Sequence, residues 1–210
     1  MVITAYLRRV LAAMSALLLA TPEASALKYK QSFHNPLARI TATGQIVPGD
    51  FDRLATFVET LPQSDSIRLR FVVDSPGGNI AEAEKIALFI NNAAAEVAIP
   101  SGSQCLSACF LLFAAAAHRF MAPDALIGVH SVGQNGQETL ASMGATTALA
   151  RDAARYGVPA AIIGKMVLTG PGQISRLTPS DLEPMGVVLL TPPSTQSHPS
   201  PPPSRRRVSQ

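Results

Sequence analysis

The chain has 210 residues and a mass of 22.0 kDa; 47% of the residues are apolar, 15% charged and 5% aromatic. This length and a mean hydropathy of +0.23 suit one domain with a sizeable core and exclude a wholly disordered chain. No apolar run reaches the roughly 18 residues that a membrane-spanning helix needs, which excludes a multi-spanning membrane protein.

The formal net charge of +3 is unevenly distributed along the sequence. Residues 1–26 carry a net +1 and residues 191–210 a net +3, which leaves −1 for residues 27–190. A body so close to neutral predicts no basic binding face, so nucleic acid is not expected as a partner. The two cysteines lack a further Cys or a close His, so no metal site is expected. No cofactor is expected either.

Residues 1–26 have the organisation of a secretory signal peptide. Arg8 and Arg9 form the positive region, Val10 to Ala20 is an apolar run of eleven residues, and Ala24-Ser25-Ala26 has the small-x-small form that signal peptidase accepts. We expect cleavage after Ala26, a periplasmic or secreted location, and no stable membrane anchor after cleavage. An uncleaved anchor is the alternative, for which eleven apolar residues are short.

The chain ends in a segment of different composition. Residues 191–210 are rich in Pro and Ser and contain three consecutive arginines, Arg205 to Arg207. Such a composition cannot bury enough apolar surface to fold, which predicts a disordered tail. The predicted organisation is therefore a signal peptide over residues 1–26, one folded domain over residues 27–190, and the tail.

Within the predicted domain, short apolar strands alternate with segments of helical periodicity. In chain order we expect a strand over 39–47, a helix over 51–61, a strand over 67–73, a helix over 79–91, a strand over 96–100, a buried helix over 107–117, short strands over 119–121 and 126–129, and an Ala-rich helical region over 138–166. This alternation predicts parallel pairing and an α/β layer architecture.

Three motifs carry residues suited to nucleophilic chemistry. Ser75-Pro76-Gly77-Gly78 follows a predicted strand, and paired glycines let the backbone turn N–H groups outward, where they can hold an oxyanion. Ser107 lies at the start of the buried helix, where free N–H groups favour negative charge. His130 ends an apolar strand, and a neutral imidazole can accept a serine proton. The plainer alternatives are an ordinary turn, a capping serine and a hydrogen-bonded histidine.

Taken together and in this order, the motifs resemble the proteolytic subunit of the Clp protease, within the wider ClpP/crotonase fold. The turn at Ser75 to Gly78 is similar to the family's Ser-Pro-Gly-Gly oxyanion turn, and residues 103–112 resemble its nucleophile segment with one residue fewer after the serine. Residues 119–130 match its Arg-Phe-x-x-Pro…His segment without a gap. The resemblance is strongest over residues 72–132, and it implies repeated ββα units followed by a C-terminal helical arm.

The resemblance also assigns roles to single residues. It implies that Ser107 is the nucleophile, that His130 is the general base, and that the N–H groups of Gly78 and Ala108 form the oxyanion hole. The family's catalytic aspartate has no counterpart, because residues 173–176 are Gln-Ile-Ser-Arg. Replacing a triad carboxylate can cost about 10⁴ in rate. We therefore predict a Ser/His dyad, in which Gln173 could orient the imidazole as a weaker, neutral acceptor.

Two cysteines flank the serine at positions −2 and +2. This segment is also similar to predicted periplasmic proteins with a Cys-x-Ser-Ala-Cys core. In an oxidising compartment lone cysteines often pair, and a disulfide between Cys105 and Cys109 would stiffen the turn that holds Ser107. Two small buried thiols are an equally weighted alternative.

These features predict a secreted or periplasmic ClpP-like serine hydrolase, a peptidase that acts on peptides or unfolded chains without an ATPase partner. The alternative is a catalytically weak or inactive member of the fold that serves binding or assembly, which the missing aspartate favours. A crotonase-type enzyme of coenzyme A esters fits less well, because export separates it from that cofactor. The resemblance further implies a homo-oligomer that assembles through the helical arm over 138–166.

Overall fold

The computed structural model describes residues 25–61 and 67–190. Most of the predicted signal peptide, up to residue 24, and the Pro/Ser-rich tail from residue 191 lie outside the described residues. The strands of the described part are β1 Lys28–His34, β2 Leu37–Thr43, β3 Arg68–Asp74, β4 Glu96–Ile99, β5 Gln104–Leu106, β6 His118–Met121, β7 Leu126–Val129, β8 Ser175–Arg176 and β9 Val187–Leu189. The helices are α1 Asp50–Glu59, α2 Ile80–Asn92, α3 Cys109–Ala114, α4 Leu140–Arg155, α5 Ala160–Leu168 and α6 Pro179–Leu182, followed by a 3₁₀ turn over Glu183–Met185.

The strands form two sheets. The larger sheet has the order β1-β2-β3-β4-β6-β9, and its pairs are parallel except for the antiparallel pair of β1 and β2. The smaller sheet has the order β5-β7-β8, in which β5 and β7 are parallel and β8 is antiparallel to β7. This architecture confirms the α/β layers that the alternation of strands and helices predicts.

The hydrophobic core fills one face of the larger sheet. Alternate strand residues such as Ile40, Phe71 and Val97 are buried on this face. The helices pack there because their apolar residues are buried against those of the strands. Helix α3 is buried along its whole length, as its uncharged sequence predicts. The predicted helical arm is two helices, since Gly157 adopts φ +77° and Pro159 precedes α5. Among the described helices, none has the length and apolarity to cross a membrane.

The other face of the larger sheet, here called the open face, carries most of the sheet's charged side chains. Tyr29 of β1 stacks beside Phe57 of α1 on the core side, so its neighbours Lys28 and Lys30 point the opposite way. The strand register continues this face through Arg39 of β2 and through two arginines and an aspartate of β3. The expectation that a near-neutral body has no basic face is therefore wrong, because the pleat gathers the cations on one side.

Candidate active site

Ser107 occupies a sharp turn between β5 and α3. Its N–H donates to the carbonyl of Gly128 at 3.0 Å, and its carbonyl accepts from the N–H of Phe110 at 2.9 Å. Its φ of +56° lies in the left-handed region, which residues with a side chain rarely adopt and which is enriched at functional turns. The capping alternative is not realised: Ala108 is the N-cap of α3, and the Ser107 hydroxyl forms no hydrogen bond with the described residues.

The Ser75 to Gly78 turn packs directly against this serine. Ser75 pairs with Cys105, because the Ser75 N–H donates to Gln104 at 2.7 Å and the Leu106 N–H donates to the Ser75 carbonyl at 3.1 Å. Gly77 adopts φ +93°, and a Cβ there would lie 2.8 Å from the Ser107 Cβ. Glycine at 77 is therefore required for the close approach, a contact that the motif alone did not reveal.

Two backbone N–H groups beside this contact have no acceptor in the described part of the chain, those of Gly78 and Ala108. Gly78 forms a parallel bridge with Ile46. In this bridge the N–H of Ile46 donates to the carbonyl of Gly77, and the N–H of Asn79 donates to the carbonyl of Ile46. In such a bridge the N–H of Gly78 points away from Ile46. Unbonded, fixed amide hydrogens are what a hole for a developing oxyanion requires.

His130 follows β7 at the same end of the smaller sheet as Ser107. The register pairs Leu106 of β5 with Gly128 of β7, so Ser107 and His130 leave adjacent parallel strands one residue apart in register. Their side chains are not hydrogen-bonded to each other in this structure. Catalytic hydrogen bonds often tighten only when substrate is bound, so the absence of this bond does not exclude the pair.

The side chain of His130 is half-buried. Its Nδ1 atom is buried and has no hydrogen-bond partner among the described residues, and burial lowers the pKa of His130 below its ordinary value. β8 pairs Ser175 with Val129, so the next pair in register is Ile174 with His130. The Cγ2 of Ile174 lies over Gly128, on the sheet face that His130 shares. The residue next to His130 in register is thus apolar and supplies no carboxylate.

The structure does not bring Gln173 to the imidazole. Its side chain is exposed and forms no hydrogen bond with the described residues, and only its backbone N–H is used, donating to Gly170 at 3.0 Å. Two aspartates that follow His130 in the chain, Asp152 and Asp181, form ion pairs with other residues. Asp152 pairs with Arg155 at 3.0 Å, and Asp181 pairs with Lys165 at 2.7 Å.

Two further polar residues position the site and were missed at the sequence level. The hydroxyl of the buried Ser131 donates to Glu138 at 2.9 Å, and the Ser131 N–H donates to the Thr169 carbonyl at 2.8 Å, which fixes the chain directly after the histidine. Asp74 accepts from the N–H of Gln104 at 3.0 Å, which fixes the start of β5. Position next to a motif was the only signal in the sequence, because Thr169 and Gln104 lie 38 and 30 residues away from their partners along the chain.

Cys105 and Cys109 form a buried disulfide with their Cα atoms 5.2 Å apart. The bond joins the middle of β5 to the first residue of α3 and therefore encloses Ser107 and Ala108. Of the two alternatives that the sequence left open, the structure has the bridged form.

Comparison with known proteins identifies the family. A family model described as Clp protease matches residues 38–153, which is more than half of the chain and includes both Ser107 and His130. The chain belongs to the Clp protease family. The resemblance noted in the motifs is thereby confirmed at the level of the family, while no curated protein matches the chain.

Solved structures show the fold of this Clp protease family member. ClpP1 from Listeria monocytogenes superposes with a TM-score of 0.54 at 15% identity, covering 73% of this chain and 92% of that one. A membrane-bound stomatin-specific protease in complex with a substrate peptide superposes with a TM-score of 0.53 at 22% identity, covering 72% of this chain and 74% of that one. Methylmalonyl CoA decarboxylase superposes with a TM-score of 0.55 at 13% identity, covering 79% of this chain and 70% of that one. At these identities the likeness shows the ClpP/crotonase fold alone, which confirms the predicted fold class.

Proposed function

We propose that this Clp protease family member is an exported serine peptidase that uses Ser107 as nucleophile and His130 as general base. One observation carries the proposal: Ser107 adopts a left-handed turn against Gly77, between the two unbonded N–H groups of Gly78 and Ala108. A serine that only terminates a strand needs neither the backbone strain nor the free amides.

The chemistry follows the usual course of acyl transfer. The Ser107 hydroxyl attacks the carbonyl carbon of a peptide bond while its proton passes to His130, and the carbonyl oxygen becomes an oxyanion held by the N–H groups of Gly78 and Ala108. The intermediate collapses, and the leaving amine takes the proton from His130. Water then attacks the acyl-enzyme with the same residue as base, which releases the carboxylic acid and regenerates the serine.

His130 is the base best placed for this role. Residues 86–164 contain no lysine that could replace it. His118, the other histidine of this region, starts β6 and pairs in register with Glu96 of the larger sheet, away from Ser107. The lowered pKa keeps the His130 imidazole neutral at pH 7, as a general base must be. Without a carboxylate on Nδ1, the imidazolium formed during reaction is poorly stabilised, so we expect slow turnover.

We propose a periplasmic or secreted location and short or already unfolded chains as substrates. The predicted leader supports export, and an exported enzyme has no ATP to drive an unfolding partner. N-terminal sequencing of the secreted protein tests the location: we expect Leu27 as the first residue. A chain that keeps its leader in the cytosol would contradict the export proposal.

Labelling with a fluorophosphonate tests the nucleophile directly. We expect the wild-type chain to be modified at Ser107 and the Ser107→Ala and His130→Ala variants to resist modification. Ser103→Ala is the matched control, because Ser103 lies just before β5 and outside the site, and it should label like the wild type. Equal labelling of wild type and Ser107→Ala would contradict the proposal.

A second function is favoured by a different observation. The buried Nδ1 of His130 has no hydrogen-bond partner within residues 25–61 and 67–190, and its neighbour in register is the apolar Ile174, as expected where a catalytic site has decayed into a binding site. In that case the protein binds peptides in the periplasm without cleaving them. Calorimetric binding of unfolded peptides, with no cleavage product and no Ser107 labelling, would favour this function over the peptidase.

A further inference from the structure

The open face of the larger sheet concentrates positive charge. It carries five cations, Lys28, Lys30, Arg39, Arg68 and Arg70, against two carboxylates, Asp74 and Glu96, a formal net charge of +3. The other described residues carry seven lysines and arginines against ten aspartates and glutamates, a net −3. The described structure is neutral as a whole, and its positive charge is concentrated on the open face.

The two carboxylates leave most of this charge unneutralised. Glu96 is shared by Arg70 at 2.5 Å and Arg68 at 3.4 Å, and Asp74 is occupied by the backbone of Gln104. Among the described residues, Lys28, Lys30 and Arg39 form no ion pair, and all three are exposed. Their charges therefore remain available to an external partner.

The cations are spread over a surface and do not converge on a point. Lys30 on β1 and Arg39 on β2 belong to neighbouring strands roughly 5 Å apart, and β3 adds a third row. Further along the same face the side chains become apolar: the Phe120 ring lies under the Arg70 guanidinium at 4.7 Å, and Val188 of β9 is 52% exposed. A row of cations beside the half-buried Phe120 and the exposed Val188 matches the headgroup region of a bilayer better than it matches one small anion.

We propose that the open face binds the anionic surface of a phospholipid membrane and holds the protein there after export. Positive charge over three strands meets many lipid phosphates at once, and each Lys or Arg near such a surface contributes. Cleavage of the predicted leader after Ala26 would place the new amino terminus beside Lys28 and add one more cation. This inference does not depend on the peptidase function, and the outcome of Ser107 labelling does not affect it.

Sedimentation with lipid vesicles tests the proposal on the secreted chain, with its tail intact. We expect the wild type to bind vesicles of phosphatidylcholine and phosphatidylglycerol, not vesicles of phosphatidylcholine alone, and to be released by salt. The Lys30→Gln/Arg39→Gln variant should bind about 25-fold more weakly, because each cation contributes roughly a fivefold factor. Lys28→Gln/Lys30→Gln provides a second variant with the same expected loss.

The matched control removes two exposed cations from the helical side. Arg151 and Arg155 of α4 are 64% and 68% exposed, and Arg151→Gln/Arg155→Gln should bind vesicles like the wild type. Equal loss in this control would assign the binding to net charge alone and overturn the proposal. The proposal would also be overturned if the wild-type chain did not bind the anionic vesicles. Preferential binding to polyglutamate would overturn it as well, because that result points to an acidic protein partner.

Discussion

Ile174 is the residue that most limits the proposed dyad. It follows the register of β8 to the position opposite His130, and its side chain covers the same face of the sheet. Among the described residues the Nδ1 atom of His130 therefore has no carboxylate acceptor that would select its tautomer. In serine hydrolases this selection is the work of a buried carboxylate, whose replacement costs about 10⁴ in rate.

Substituting Ile174→Asp should restore part of this function. We expect Ser107 labelling and peptide cleavage to accelerate about tenfold or more, because a carboxylate near Nδ1 stabilises the imidazolium. Ile174→Asn, which is similar in size and uncharged, is the control and should gain little. If Ile174→Asp and Ile174→Asn label and cleave at equal rates, position 174 does not face the histidine.

The pH profile gives an independent readout of the same pair. Burial lowers the pKa of His130, so the wild-type base stays neutral, and activity persists, at pH values below the ordinary histidine midpoint. A carboxylate at position 174 favours the protonated imidazole and raises this pKa. The acid limb of kcat/KM should therefore move to higher pH in Ile174→Asp, and a limb that moves to lower pH would contradict the model.

At the scale of elements, the disulfide joins the strand and the helix that hold the nucleophile. A covalent loop of this size contributes about 2 kcal/mol to stability in the chain-entropy model. Its position suggests a larger effect on catalysis, since a displacement of about 1 Å at a reacting atom can cost 10²-fold. Both Ser107 and the N–H of Ala108 lie within the loop.

Reduction should therefore affect reactivity more than folding. We expect a reductant to slow fluorophosphonate labelling of Ser107 by roughly 10- to 100-fold, with only a modest decrease in the melting temperature. The Cys105→Ala/Cys109→Ala variant should show the slow rate from the outset and no response to the reductant. Labelling that is unchanged by reduction would restrict the bond to a structural role.

The same scale shows what the sequence could and could not predict. The spacing of Phe51, Leu54 and Phe57 predicted α1 to within two residues, because one face of a helix on a sheet must be apolar. Strand β5 has only three residues, too few for alternation to be recognised, and β1 is an edge strand with a largely polar sequence. The motifs predicted Ser107 and His130 as a pair. The position of Ile174 depends on antiparallel pairing across 46 residues, which no local pattern encodes.

At the scale of the whole molecule, a second apolar surface lies at the end of the helical pair. Leu140, the first residue of α4, is 90% exposed, and Leu168, the last residue of α5, is 86% exposed. Met143 and Val167 line the cavity of about 220 Å³ between the same ends. Large exposed leucines in a cluster are typical of interfaces, which agrees with the predicted homo-oligomer.

This surface makes the oligomer testable. The Leu140→Glu/Leu168→Glu variant should dissociate in analytical ultracentrifugation, because burial of each leucine contributes about 1.5–3 kcal/mol to association. Leu88→Glu changes an exposed leucine of α2 outside this surface and should leave the assembly intact. If both variants sediment like the wild type, the helical pair is not the interface.

The disulfide between Cys105 and Cys109 also makes the reactivity of Ser107 depend on the redox state of the compartment. Thiols in the reducing cytosol stay unpaired, so under the proposed export a newly made chain awaiting translocation lacks the disulfide between Cys105 and Cys109. By our proposal, Ser107 gains its full reactivity only on the far side of the membrane, and the cell's own nascent proteins are attacked more slowly during biosynthesis.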